Sequence, residues 1–175
     1  TAFPLHLLQG LPKGEKFELL LQKGTELGVA AFTPVLTERT VAQPPAARGE
    51  RRLERWERIV RDAASQCRRP QLPRLAPPRP LEEVLESCRE ELRLVLWEEE
   101  SRPLPQLLPP VPPRSAALLV GPEGGLTAGE VALARAAGFV AVRLGPRILR
   151  TETAGLAAAA VLQYLYGDLG RGDGG

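Results

Sequence analysis

Apolar residues along this chain recur now at helical and now at strand spacing, and the changes of period divide it into alternating elements. Residues 3–11 are a compact apolar run with Gly10 near its end, which predicts a strand. Between Gly14 and Gly28 the apolar positions Phe17, Leu20, Leu21 and Leu27 return at helical spacing, and Gly28 suits a helix stop. Residues 29–36 are short and β-prone, and a polar loop follows through Pro44 and Pro45. Residues 49–69 carry the clearest amphipathic pattern. At about 100° per residue, Leu53, Trp56, Val60, Ala63, Ala64 and Cys67 share one face, and Arg51, Arg55 and Arg58 lie opposite. Five prolines make residues 70–80 an extended connector; residues 81–90 predict a short helix and 92–97 a strand that can be buried. Six prolines in residues 101–114 exclude a regular helix or a central strand there.

The last third reads more sharply. Residues 116–120 are a continuous apolar strand, followed at once by Gly121-Pro122-Glu123-Gly124-Gly125. Thr127 and Glu130 match the S/T-x-x-E capping box, so a helix starts near Ala128 and stops at Gly138. Residues 140–144 form another strand, closed by Gly145-Pro146. Residues 151–169 predict a helix that is apolar nearly all round, with Leu156, the alanines 157–160, Val161, Leu162 and Leu165. Such a helix must be buried on more than one side, centrally or against a second subunit. Strands alternating with helices argue for an α/β fold: a mostly parallel sheet with helices on both faces. Residues 1–170 read as one domain and 171–175 as a disordered tail.

Composition narrows the function. With 43% hydrophobic and 25% charged residues, wholesale disorder is excluded, and no stretch makes a convincing membrane span. His6 is the only histidine, so a mechanism needing two is excluded. Cys67 and Cys88 have no metal-ligand spacing and read as reduced thiols of a cytoplasmic protein; no metal site is expected. A net charge of +2 does not by itself point to nucleic acid, but eight arginines fall between Arg48 and Arg69. That stripe is either a solvated face paired with Glu54, Glu57 and Asp62, or a contact for RNA phosphates.

Ligands of open parallel α/β sheets bind beyond the carboxyl ends of the strands. Two loops leave such ends, 121–125 and 145–150. Their glycines expose backbone that can approach a ligand, although a tight turn between strand and helix needs glycine as well. Neither the G-x-x-x-x-G-K-[ST] phosphate loop nor G-x-G-x-x-G is present. The Glu123 carboxylate would repel a pyrophosphate, so a neutral or cationic ligand fits better, such as an adenosine carrying a sulfonium and an amino group.

The stretch Leu119-Val120-Gly121-Pro122-Glu123-Gly124-Gly125, followed by Leu144-Gly145-Pro146-Arg147-Ile148-Leu149-Arg150-Thr151-Glu152-Thr153-Ala154, closely resembles the SPOUT-class 16S ribosomal RNA uridine N3-methyltransferases. Upstream, Lys13-Gly14-Glu15-Lys16, the run from Gln22 to Val29, Thr33-Pro34, Glu38-Arg39, Arg55-Trp56 and Gln66-Cys67-Arg68-Arg69 fall in that family's order. The resemblance implies a deep C-terminal trefoil knot, a homodimer whose subunits both contribute to the active-site region, and 16S rRNA of the small ribosomal subunit as partner. It also implies S-adenosylmethionine as cofactor, held by Leu119, Gly121, Pro122, Glu123, Gly124, Gly125, Leu144, Gly145, Arg147, Ile148 and Leu149. Arg51, Arg55, Arg58 and Arg69 are the RNA-binding candidates. Two features depart from the family. Its members usually carry an N-terminal RNA-binding barrel, whereas Thr1 stands where the catalytic domain begins, and Ser65 and Arg68 replace a usual Glu and Gly.

Methylating N3 of uridine requires that a weakly acidic imide lose its proton while its anion is aligned with the methyl carbon. A cation near the uracil oxygens stabilises that anion, and Arg150 is the catalytic candidate, an ion pair with Glu152 being the alternative. Arg147, beside Pro146, suits loop anchoring. The general base stays open. Glu123 and Glu152 are the acids within the motifs, and Glu123 is assigned to positioning the cofactor or its loop. His6, far from every motif, reads as an ordinary strand residue. The other readings are a ribose 2′-O-methylating relative and a catalytically idle RNA-binding assembly factor, against which the intact glycines speak.

Overall fold

The structure, a computed structural model, describes residues 2–99 and 101–172. In chain order the elements are β1 Leu5–Gly10, α1 Lys16–Glu26, β2 Ala31–Leu36, α2 Ala46–Gln66, β3 Arg74–Leu75, β4 Arg79–Pro80 and α3 Leu81–Ser87. They continue with β5 Leu92–Leu96, β6 Arg102–Pro103, a 3-10 turn at Leu104–Gln106, β7 Ala116–Val120, α4 Ala128–Ala136, β8 Val140–Arg143 and α5 Thr151–Tyr166. The strands form one sheet in the order β3-β2-β1-β7-β5-β8-β6, with β4 also on β2, and every pairing is parallel. Of the expected tail, residues 173–175 lie outside the described residues, and Arg171 and Gly172 carry no regular structure.

Helices cover both faces, as the alternation predicts. On one face Phe17, Leu20 and Leu21 of α1, Trp56 and Val60 of α2 and Ala158, Ala159 and Leu162 of α5 pack on Leu5, Leu7, Phe32 and Leu118. On the other, Leu81, Val84 and Leu85 of α3 and Val131 and Ala134 of α4 pack on Leu8, Val35, Val95 and Leu119. A strand buried on both faces shows no alternation of apolar and polar positions, which explains the unbroken apolar run of β7. The proline-rich connectors supply the two sheet edges, β3 and β4 on one side and β6 on the other, where a residue without an N–H leaves no gap in a central ladder.

Three helices differ from expectation in their bounds. Helix α2 begins at Ala46 because Pro45, extended at ψ 153, is its N-cap, and it ends where Arg68 turns left-handed at φ 62. Helix α3 stops at Ser87, before the predicted 90. Helix α5 ends at Tyr166, and it is buried on one side only within this chain: Val161, Tyr164 and Leu165 are exposed. Its buried Gln163 bonds both the N–H and the C=O of Phe3 (each 2.8 Å) and the Gly28 carbonyl, clamping the helix to the start of β1.

The order of strands decides where the site lies. Strand β8 sits between β5 and β6, so the connection from β5 to β7 passes outside it. The chain leaving β8 then returns across the carboxyl ends to lay α5 against α1 and β1. Loops 121–125 and 145–150 therefore meet over the same end of the sheet.

Candidate active site

A cleft of about 700 Å³ opens between these loops, with Leu96, Trp97, Glu98 and Glu99 at the exit of β5 on its third side. Gly121, Pro122, Glu123, Gly124, Gly125, Leu144, Gly145, Arg147, Ile148, Leu149 and Arg150 all line it, so the two dense motifs converge in space. Leu119 does not. Its side chain is fully buried in the β7 core among Leu8, Val35 and Val95, one residue too early to reach the cleft.

The first loop is held from three directions. The capping box forms in full: Thr127 Oγ1 accepts from the Glu130 N–H (3.1 Å), and Glu130 Oε1 from the Thr127 N–H (2.9 Å). The second oxygen of the buried Glu130 accepts from the Glu38 N–H (3.0 Å), bringing the chain after β2 against the loop. Arg39 then donates to the Gly124 carbonyl at 2.7 Å. From the turn before α1 and its first residue, the Lys13 N–H and the Lys16 ammonium each donate to Glu123 Oε2 at 2.9 Å. Burial alone would raise the Glu123 pKa, but Lys16 and the N–H groups of Glu123 itself and Lys13 outweigh it and hold the carboxyl below its ordinary value. Glu123 thus positions its loop. A Cβ on Gly121 would lie 2.9 Å from the Leu126 nitrogen, and Gly125 is left-handed at φ 77, so neither place readily takes a side chain.

Beneath both loops lies a polar relay in an apolar core. The buried Gln9 amide donates to Thr151 Oγ1 (2.7 Å) and the Gly10 carbonyl (3.0 Å), and the Thr151 hydroxyl donates to the Gly121 carbonyl (2.6 Å). The end of β1, the first loop and the start of α5 are tied at one point. The second loop has no comparable framework. Arg147, Ile148 and Arg150 are exposed, Ile148 by 83%. Arg150 is the N-cap of α5 without a side-chain bond, and among the described residues it makes no ion pair with Glu152. Glu152 lines the cleft with its Oε2 buried and unpartnered.

Two of the four arginines expected at RNA have other partners. Arg55 grips the Glu18 carboxylate of α1 (2.5 and 3.1 Å) rather than an acid on its own helix. Arg69, part-buried, donates to the Thr25 and Val29 carbonyls (both 2.9 Å) and so closes the carboxyl end of α1. Arg51 and Arg58 stand exposed on α2. Outside the cleft, His6 bridges Glu90 Oε1 (2.7 Å) and Thr33 Oγ1 (2.8 Å), and that bond is the largest influence drawing the Glu90 pKa down to about 2. Cys67 and Cys88 are free thiols, and the described residues hold no cluster suited to a metal and no helix long and apolar enough to cross a membrane.

Sequence reasoning missed Arg39, Lys16, Gln9 and Thr151 as parts of the site. Gln9 had left a signal, a lone amide inside an apolar strand. Lys16 and Arg39 lay within the upstream segments of the resemblance but carried no stated role.

Known proteins agree with this geometry. A chain named ribosomal RNA small subunit methyltransferase E from Bacillus subtilis is 38% identical over 97% of this chain and 68% of its own length. The protein of that name from Synechocystis is 41% identical over 93% of this chain and 54% of its own. This chain therefore spans between about half and two thirds of those relatives. A crystal structure of the Neisseria gonorrhoeae protein of that name, bound to S-adenosyl methionine, superposes with a TM-score of 0.87 at 38% identity, over 94% of this chain and 67% of the other. A family profile described as RNA methyltransferase domain matches residues 1–163. With two convergent glycine loops over one end of a parallel sheet and that match along nearly all its length, the chain belongs to the RNA methyltransferase domain family.

Proposed function

We propose that this protein uses S-adenosylmethionine to methylate N3 of a uridine in the 16S rRNA of the small ribosomal subunit, in the cytoplasm and as a homodimer. The observation that carries the reading is the cleft itself. It is large enough for an adenosyl group, floored by glycine backbone and lacking the phosphate-binding loops that a nucleoside triphosphate needs. The residues present fit the donor: peptide groups of loops 121–125 and 145–150 line the cleft and can bond an adenosyl group. Bound there, S-adenosylmethionine supplies an electrophilic methyl carbon on its sulfonium.

The chain's own residues do the rest. The loop framework of Glu130, Arg39 and Lys16 sets the floor before the ligand arrives, so little ordering is needed on binding. Arg150, at the lip, places a guanidinium where the uracil oxygens gain negative charge. Arg51 and Arg58 meet RNA phosphates from the exposed side of α2. The second subunit covers Val161, Tyr164 and Leu165 of α5, a row of apolar side chains that one chain leaves in water. The C-terminal segment is threaded as a trefoil knot. The placing of β6 and the chain after it outside β8 supports this, as does the bond from the Tyr166 hydroxyl to the Pro109 carbonyl (3.1 Å).

The test uses labelled S-adenosylmethionine and small ribosomal subunits from cells lacking the modification, with nucleosides identified by mass spectrometry. Labelled 3-methyluridine is expected, and Arg51→Glu should flatten the salt dependence of RNA binding by about one unit of slope. A ribose-methylated nucleoside, or no label, overturns the reading.

A further inference from the structure

We propose that a second cavity, apart from the cleft, binds the phosphate of a nucleotide on a rim of three arginines. This cavity, of about 430 Å³, lies between the sheet and α3, and none of its lining residues is shared with the cleft. His6 and Ala31, near the amino ends of β1 and β2, line it, whereas the cleft lies beyond the carboxyl ends of the strands. Its size falls within the range of about 300–1,000 Å³ usual for small-ligand sites. Leu8, Phe32 and Val84, all buried, make its apolar part. Arg74 of β3, Arg79 of β4 and Arg89 of the turn after α3 line it too, so three separate segments bring a guanidinium to one place.

The protein leaves much of this cationic capacity open. Arg74, exposed, has no hydrogen-bond or ion-pair partner among the described residues. Arg89 donates through Nη1 to the Glu86 and Cys88 carbonyls (2.7 and 2.9 Å), and its Nε and Nη2 stay uncommitted. Arg79 is held more closely, donating to the Ser87 hydroxyl (3.2 Å) and lying 3.8 Å from the exposed Glu83. Glu90, the one acid among the described lining residues, has both oxygens occupied. Oε1 accepts from His6 (2.7 Å), and Oε2 accepts from the Arg89 N–H (3.1 Å) and the Cys88 thiol (3.2 Å). Three positive charges around a cavity whose single carboxylate is already engaged repel one another, and an anion relieves that repulsion. A phosphate suits this rim better than a carboxylate, because its three oxygens accept from several planar donors at once. The apolar part then receives the base and sugar.

The test follows the arginine Nε–H resonances of isotope-labelled protein by NMR during titration with uridine monophosphate. The signals of Arg74, Arg79 and Arg89 should move together in one saturable step, and uridine, which lacks the phosphate, should leave them in place. Because the cleft shares no lining residue with the cavity, these signals report the cavity whatever the cleft takes. Arg74→Glu should weaken the binding about tenfold or more, the effect of losing a hydrogen bond to a charged group. Its melting temperature should match wild type, since no group of the folded chain is bonded to that side chain. A uridine tetranucleotide separates the two sources of the phosphate. Tighter binding than the monophosphate means a segment of an RNA strand, whose neighbouring phosphates add contacts, and equal affinity means a free nucleotide. Three arginine signals that stay still with both ligands, equal movement with uridine, or an affinity that Arg74→Glu leaves unchanged would each overturn the proposal.

Discussion

The two loops that form the cleft leave strands on either side of β5, yet they are held in opposite ways. Loop 121–125 is pinned by a capping box, by Arg39 on the Gly124 carbonyl and by Lys16 on Glu123. Loop 145–150 is fixed at its far end, where Thr151 joins Gln9 and Gly121, and its arginines extend into solvent. The contrast separates two tasks within one site. A binding floor gains from being built in advance, because ordering it later would subtract from affinity. A group that must meet a large substrate has to stay uncommitted, because an arginine already paired within the protein has less charge to offer a developing anion.

The widest consequence falls on the uncommitted side. Arg150→Ala should lower methyl transfer about 10²–10³-fold, the scale for removing one donor that stabilises a developing oxyanion, while leaving the melting temperature unchanged. Among the described residues its side chain neither caps α5 nor joins an ion pair, so stability has little to lose. A clear drop in Tm would show that the second loop is braced after all, and the contrast between the loops would fail.

The pinned side should respond in stability. A Cβ on Gly10 would lie 2.6 Å from the backbone nitrogen and Cδ of Pro122, atoms that cannot step aside without moving the first loop. Gly10→Ala is expected to cost about 1–3 kcal/mol in urea unfolding and to weaken S-adenosylhomocysteine binding. Gly145→Ala meets no atom within 4 Å and bears only the strain of φ 66, about 1 kcal/mol. Equal losses at the two positions would mean that the loops are equally constrained.

How much of this could be read beforehand depended on the range of the interaction. The capping box of α4, the strand 116–120 and both glycine loops are written in residues three to five apart, and each formed where expected. Long-range choices were not legible. Nothing near Arg55 in sequence announces Glu18, 37 residues earlier, and nothing near Arg69 announces the Thr25 carbonyl, 44 residues away. Leu119, which the resemblance placed at the cofactor, belongs to a strand covered on both faces, and its side chain lies in the core while Val120 lines the cleft. The apolar girth of α5 predicts burial on more than one side, and this chain buries one face of it, leaving Val161, Tyr164 and Leu165 exposed.

The finest test of the contrast is electrostatic. Glu123 belongs to the pinned loop, and its carboxyl is held below its ordinary value of 4.5 in the folded protein. A depressed folded pKa means that the carboxylate contributes stability above the unfolded pKa and loses it as pH falls through the folded one. Wild type should therefore exceed Glu123→Gln in unfolding free energy from urea denaturation at pH 7, by about 0.5 kcal/mol for a part-exposed pair. That margin should close as the pH is taken below about 4.5 and shrink at high salt. The second loop has no acid between Gly145 and Arg150, so Arg147→Gln should show no such convergence. If the Glu123 margin survives at pH 3 and high salt, its hold on the loop is packing rather than charge, and the two loops differ in shape alone.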